Sequence, residues 1–312
     1  MASTQRIADG YPQRGNMGRN TARDIRERAI HLILLAAAAV SIFTTIGILF
    51  SLLGETISFF RNVSIVEYFT GTRWAPSFSR RSFGVLALIS ATAMTSFIAM
   101  LIAVPLGLLA AIYLSEFASR RARSIIKPLL EILAGIPTVV YGFFALLFVT
   151  PLIRRVYDVD IFNSLSAGIV MGIAILPLVS SLSEDAMSAV PNSLREGAFG
   201  LGATRFEVAT RVVFPAALSG IVASVILALS RAVGETMIVA LAAGQRPRFT
   251  FDPTVAVQTM TSYIVSVSQG EAAVGSIQYQ TIFAVGTTLF AITFAMNLFS
   301  HWFVRRFREV YD

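Results

Sequence analysis

Apolar residues fall into six long runs along this chain, separated by polar stretches. A helix that crosses a bilayer needs about 20 mostly apolar residues. Each run meets that length, so spans are predicted over residues 30–53, 83–113, 129–149, 165–182, 216–243 and 281–303. The second is overlong and is expected to tilt or protrude. Residues 1–27 are polar, with Gly10, Pro12, Gly15 and Gly18, and read as a flexible tail. The run that follows is too long for the apolar region of a cleaved signal peptide, about 7–15 residues, and is expected to remain as an uncleaved first span. Pro105, Pro137 and Pro177 fall within or near the spans. Each removes a backbone donor and bends its helix. Broken backbone at membrane depth is tolerated where it packs in protein or lines a cavity, although proline is also simply commoner in membrane helices.

Composition makes lipid the solvent for much of this surface. Of 312 residues, 55% are hydrophobic and 14% charged, where a soluble domain carries about 25% charge. Mean hydropathy is +0.71. Cysteine is absent, which excludes disulfides, thiolate metal sites and a cysteine nucleophile. The two histidines, His31 and His301, sit beside predicted membrane boundaries, and no His/Glu cluster has metal-ligand spacing.

The net charge of +7 is almost all arginine, Lys127 being the only lysine. A basic balance can signal nucleic acid, but these arginines sit at the ends of apolar runs and no nucleic-acid partner is expected. The tail, the loops after the second and fourth spans and the C-terminal segment hold 16 Lys and Arg residues, against 8 in the other loops. Positive charge marks the cytoplasmic side. Both termini are therefore expected in the cytoplasm, as an even number of spans also requires.

The loop after the fourth span, residues 184–213, is the most informative stretch. Ser193 with Glu196 and Thr204 with Glu207 have capping-box spacing. Gly202 lies between them, where a left-handed residue ends a helix. Pro215 then stands at the predicted start of the fifth span, a position that accepts proline. Two short helices joined at a glycine are expected. The first carries Gly197, Ala198 and Gly200 beside Phe199 and Leu201. Such a surface suits close approach by another protein, or an amphipathic connector lying on lipid; the caps alone fit both.

Glu196-Gly197-Ala198, then Leu201-Gly202-Ala203-Thr204 and Phe214-Pro215, resembles the EAA motif of ABC importer permeases, with Gly197 where the family usually has alanine. Further phrases resemble the phosphate-specific permeases: residues 135–142 (Gly-Ile-Pro-Thr-Val-Val-Tyr-Gly), residues 231–236 (Arg-Ala-Val-Gly-Glu-Thr) and residues 69–76 (Phe-Thr-Gly-Thr-Arg-Trp-Ala-Pro). The last, with Met296-Asn297-Leu298-Phe299-Ser300 and Arg305-Arg306, is similar to the PstC-type subunit rather than the PstA-type one. The resemblance covers about residues 66–312.

It implies an all-α integral membrane protein with the type I ABC importer permease fold and six transmembrane helices. The division would be a cytoplasmic basic tail (1–29), a first helix with periplasmic loop (30–82), a transmembrane core (83–303) and a cytoplasmic end (304–312). It also implies a bacterial inner-membrane location and a role in importing inorganic phosphate. The implied partners are a PstA-type permease, two PstB-type ATPase subunits and a periplasmic PstS-type phosphate-binding protein. Glu196, Gly197, Ala198, Gly202 and Ala203 would belong to the helix that docks on the ATPase.

Arg231 and Glu235 lie well inside the fifth predicted span. At a spacing of four they would share one helical face and partly neutralise each other. An arginine at a helix centre costs about 2.5–3.5 kcal/mol to insert, so it needs a partner or a water-filled cavity. One reading is an ion pair that fixes helix register. The other is an anion path, in which the guanidinium fork matches phosphate oxygens and Glu235 holds Arg231 between passages. In the resembling family the matching Arg and Glu are transport residues. Thr236, Thr138 and Tyr141 are further candidates, each with an ordinary structural alternative. Glu131 is expected to pair with Lys127 four residues earlier. The outer loop, residues 244–279, carries Arg246, Arg248, Asp252 and Glu271 and is long enough to meet a soluble partner.

The chain has no G-x-x-x-x-G-K-[ST] loop to cradle phosphates. No cofactor is expected, and energy has to come from another subunit or an ion gradient. An ion-coupled secondary transporter would usually show inverted repeats, and none is evident. A sensor or scaffold without transport would have no use for Arg231.

Overall fold

The computed structural model describes residues 21–270 and 272–307; Arg6, Arg14, Arg19, Arg308, Glu271 and the rest of the two end segments lie outside the described residues. The first helix is α1 (Thr21–Asn62). Contacts divide the chain at Ser51 into a leading segment and a body that begins at Leu52. In the leading segment the helix is apolar and exposed almost all round from Ile30 onward. A helix apolar on every side is at rest in lipid or packed protein and not in water.

The body opens with α2 (Ile65–Thr70), a two-residue antiparallel pair β1 (Trp74–Ala75) and β2 (Ser82–Phe83), and α3 (Leu86–Ile112), which a π-helical turn extends to Phe117. Then come α4 (Arg120–Gly135), α5 (Thr138–Phe144), a π-turn and α6 (Thr150–Arg154), and α7 (Ser164–Ser188). On the side of the informative loop lie α8 (Asn192–Gly200), α9 (Arg205–Glu207), a π-turn and α10 (Phe214–Ala216). The chain finishes with α11 (Leu218–Val233), α12 (Met237–Ala242), α13 (Met260–Ser268) and α14 (Ile277–Phe307).

Among the described residues, four stretches are unbroken and apolar enough to cross a membrane: Arg26–Asn62, Leu86–Phe117, Ser164–Ser188 and Ile277–Arg306. Two more are bent pairs, Arg120–Gly135 with Thr138–Arg154 at 87° and Arg205–Ala216 with Leu218–Val233 at 71°. The third and fifth predicted spans are therefore not straight helices. Pro137 is where the third breaks, because it removes the donor that would continue α4. Pro105 and Pro177, in contrast, stay inside α3 and α7. Pro215 lies inside the Arg205–Ala216 limb, and the next limb starts only at Leu218.

The centre of the body is the α3–α7 pair. Gly168 and Gly172 are one helical turn apart on α7 and let α3 come close. A methyl group on Gly172 would stand 2.7 Å from the Ala99 carbonyl oxygen, and one on Gly168 would stand 2.7 Å from Ile98. Without a solvent-driven hydrophobic force between helices in lipid, such small-residue contacts do the packing. Ala91, Ala99, Ala103, Ala167, Met171 and Ile175 fill this core, and α5, α11 and α12 close it. A second core gathers Phe59, Tyr68, Trp74, Phe83 and Tyr263 edge to face. Tyr68 and Tyr263 share hydrogen bonds with Thr288 (2.9 Å) and Thr281 (2.6 Å), satisfying their buried hydroxyls. The third core, Met187, Val190, Val208, Val213 and Ile221, backs the loop after α7.

Candidate functional site

The fifth span stops inside the body. α11 ends at Val233, and Gly234 takes the C-cap position. Glu235 is then outside any helix, and its carboxylate accepts the amides of Met237 (3.1 Å) and Ile238 (3.3 Å), capping α12. Its carbonyl accepts the Thr261 hydroxyl at 2.6 Å. The expected Arg231–Glu235 face does not form: the helix ends between them, and the carboxylate is engaged by the free amides of the next helix. Arg231 is exposed and, among the described residues, has no hydrogen-bond or ion-pair partner. Thr236 donates to the Gly234 carbonyl at 3.2 Å, the local backbone bond foreseen as its ordinary role.

A second break meets the first. α5 begins directly after Pro137 and packs on α12, where Gly142 leaves room for Leu241 and the Met237 carbonyl. Thr138 is in the first turn of α5. Tyr141, buried on the same short helix, donates its hydroxyl to the Leu133 carbonyl at 2.8 Å, tying α5 back to α4 across the bend. So the structure brings the short helices that carry or follow Thr138, Tyr141, Glu235 and Thr236 side by side, while Tyr141 and Glu235 are both engaged by backbone.

Beyond α12, a cavity of about 930 Å³ is lined by Arg154, Asp158, Asp160, Leu241, Gln245 and Arg246, among others. Asp160 is committed to the Ala256 amide at 3.0 Å. Neither Arg154 nor Arg246 has an ion-pair partner among the described residues. The sequence holds no signal that these two arginines, 92 positions apart, share one cavity. Arg248 lies in the same outer loop but does not line it.

In the loop after α7, the helix–glycine–helix expectation holds in part. Gly202 has φ +86°; its amide reaches the Phe199 carbonyl (2.9 Å) and the Ala203 amide reaches that of Ala198 (3.1 Å). This is a Schellman ending, which needs a left-handed residue at that point. The Thr204–Glu207 capping box is formed. The Ser193–Glu196 box is not, because Pro191 is already the N-cap of α8 and Ser193 lies inside the helix. Glu196, Gly197 and Gly202 face outward with open space around both glycines, while Ala198 and Ala203 rest on the third core. Leu201 is 91% exposed and Phe206 67%, leaving an apolar tip.

Lys127 does not bond Glu131. It reaches Glu184 on α7 at 2.6 Å and Asp185 at 3.5 Å. Glu184 is 3% exposed, and a buried carboxylate needs a partner far more than an exposed one does. The exposed Glu131 does not compete.

Residues 103–309 match the binding-protein-dependent transport system inner membrane component family. The chain belongs to this family. The permease is 35% identical over 272 residues to the probable ABC transporter permease protein YqgH of Bacillus subtilis (strain 168), covering 86% of each chain. It is 33% identical over 295 residues to the phosphate transport system permease protein PstC of Mesorhizobium japonicum, covering 88% of this chain and 86% of that one. A chain of a bacterial ABC transporter involved in importing the acidic polysaccharide alginate has the same fold, with 17% identity, a TM-score of 0.63, and coverage of 93% of this chain and 99% of that one. The permease is thus a multi-pass inner-membrane subunit of an ABC importer, with the type I fold.

Proposed function

We propose that the permease forms, with a PstA-type partner, the path by which an ATP-driven importer carries inorganic phosphate across the inner membrane. One observation carries this reading: Arg231 is the sole charged residue of α11, and its guanidinium has no hydrogen-bond or ion-pair partner among the described residues. An intramembrane cation without a partner is costly and marks a path for its counter-ion. A guanidinium also presents a fork of donors to tetrahedral oxyanions. The PstC relatives support phosphate as that anion. Conduction needs weak holding, and an arginine whose neighbouring carboxylate is engaged elsewhere binds through one cation only.

In this reading six spans place both termini in the cytoplasm. Two PstB-type subunits hydrolyse ATP and one of them receives the outward face of α8, with Glu196, Gly197 and the Leu201 tip, while Gly202, Ala198 and Ala203 hold its shape. A PstS-type protein delivers phosphate to the outer side, near Arg154 and Arg246. Thr138 and Thr236 flank the path; Tyr141 and Glu235 shape it.

Arg231→Gln in cells lacking the native gene is expected to abolish phosphate uptake with subunit assembly intact. Unchanged uptake would remove Arg231 from the path. Competition by arsenate and sulfate distinguishes phosphate from other oxyanions.

A further inference from the structure

Within α8 the two charged residues part company: Glu196 faces outward and Arg195 is turned inward. The Arg195 guanidinium meets Glu116 in the π-turn that ends α3, with Nη2 at 3.0 Å from Oε1 and Nε at 3.3 and 3.4 Å from the two carboxylate oxygens. The same guanidinium donates to the carbonyls of Met187 (2.8 Å) and Val190 (2.5 Å) at the end of α7, and to the Asn192 side chain (3.3 Å). Ser115 donates to Glu116 Oε1 at 2.8 Å. The Arg195 and Glu116 side chains are only 14% and 9% exposed. One planar cation therefore joins α8 to the C-terminal ends of α3 and α7, the two helices packed most closely at the centre of the body.

Two features make this junction stiff. A guanidinium bonded along its fork fixes orientation as well as distance. Sheltered from water, the pair is held by Coulomb attraction that solvent screens little. Next to it the contact is open: a cavity of about 480 Å³ lies between Glu116, Phe117, Ser119, Phe199 and Arg205. The third core also packs α8, through Leu194 and Ala198, against Ala111 and Met187; beside the cavity the ion pair is what joins α8 to the end of α3.

We propose that Glu116 and Arg195 form the link through which displacement of α8 reaches α3 and α7. They are positioning residues for transport, and belong neither to the docking face nor to the anion path. This rests on the reading of α8 as the segment that meets the ATPase. Coupling between distant sites is carried by packed, bonded networks of this kind with more than one arrangement.

The test uses the complete transporter in lipid vesicles with its binding protein and inorganic phosphate. Three quantities are read: ATPase co-purification, the rate of ATP hydrolysis, and phosphate moved per ATP. The variants are Glu116→Gln, Arg195→Lys, the exchanged pair E116R/R195E, and Leu201→Asp at the exposed tip. Glu116→Gln and Arg195→Lys are expected to keep assembly, hold hydrolysis within about twofold and lower phosphate per ATP by about tenfold. The exchanged pair is expected to recover part of that loss. Unchanged phosphate per ATP in both single variants would overturn the link. So would loss of ATPase co-purification in both, since the pair would then be merely structural. Leu201→Asp tests the docking reading separately: full assembly and transport in that variant would refute it, and the link with it. Failure of the phosphate reading would show as absent uptake in the unaltered transporter.

Discussion

Glu235 separates two physical accounts of the fifth span. If its carboxylate caps α12, as its bonds to the Met237 and Ile238 amides indicate, an acceptor is what the position needs. Glu235→Gln keeps a carbonyl oxygen there. The two amides share one oxygen, Oε1, so in effect one charge-assisted hydrogen bond of about 1.5–3 kcal/mol is exchanged for one neutral bond of about 0.5–1.5, a loss of about 1 kcal/mol. Glu235→Ala removes the acceptor and leaves two amides at the start of α12 unmatched, a cost of about 2 kcal/mol at the upper end of cap deletions. If instead Glu235 were the counter-ion of Arg231, Gln and Ala would be nearly equal, and a double-mutant cycle with Arg231→Gln would show strong coupling. Since neither a hydrogen bond nor an ion pair joins the two side chains, the cycle is expected to be additive within about 0.5 kcal/mol. Denaturant unfolding of the purified permease in detergent measures all four variants. A coupling energy above about 1 kcal/mol, or equal losses for Gln and Ala, would refute the cap.

Three further outcomes are expected. Gly172→Val should destabilise the permease by about 2 kcal/mol through overpacking, since even the added Cβ would meet the Ala99 carbonyl at 2.7 Å; Gly54→Ala, with open space around it, should raise the melting temperature through helix propensity. Tyr141→Phe should cost about 1 kcal/mol, the worth of one intramolecular hydrogen bond, and loosen the α4–α5 bend, read as faster amide exchange over residues 133–141. In the outer loop, the Thr254 hydroxyl (2.6 Å) and amide (2.9 Å) hold the Asp252 carboxyl below its ordinary 3.8. A depressed folded value contributes stability above the unfolded pKa and loses it as pH falls through the folded one. Protection of the Thr254 amide should accordingly be flat at neutral pH and fall only below pH 3.8, with Asp252→Asn lacking that step; a decline beginning near pH 6 would implicate another group.

Sequence by itself determined what depends on local composition. Runs of apolar residues long enough for a bilayer are legible because lipid demands length and low charge, wherever the runs pack. The glycine hinge at Gly202 and the Thr204–Glu207 box were legible because their partners are within five residues. The EAA-like phrase identified the family for the same reason. Tertiary structure decided everything that depends on partners distant in the chain. Lys127 turned from Glu131 to Glu184 because burial of that carboxylate outweighs proximity along a helix. Arg195 found Glu116, 79 positions earlier, and Arg154 came to share a cavity with Arg246. The break at Gly234 was the hardest to foresee. A glycine inside an apolar run is usually tolerated by a helix; here α5 occupies the position beside α12 and Thr261 draws off the Glu235 carbonyl. Spacing of four implies a shared face only while the helix lasts, and tertiary contacts set where it ends.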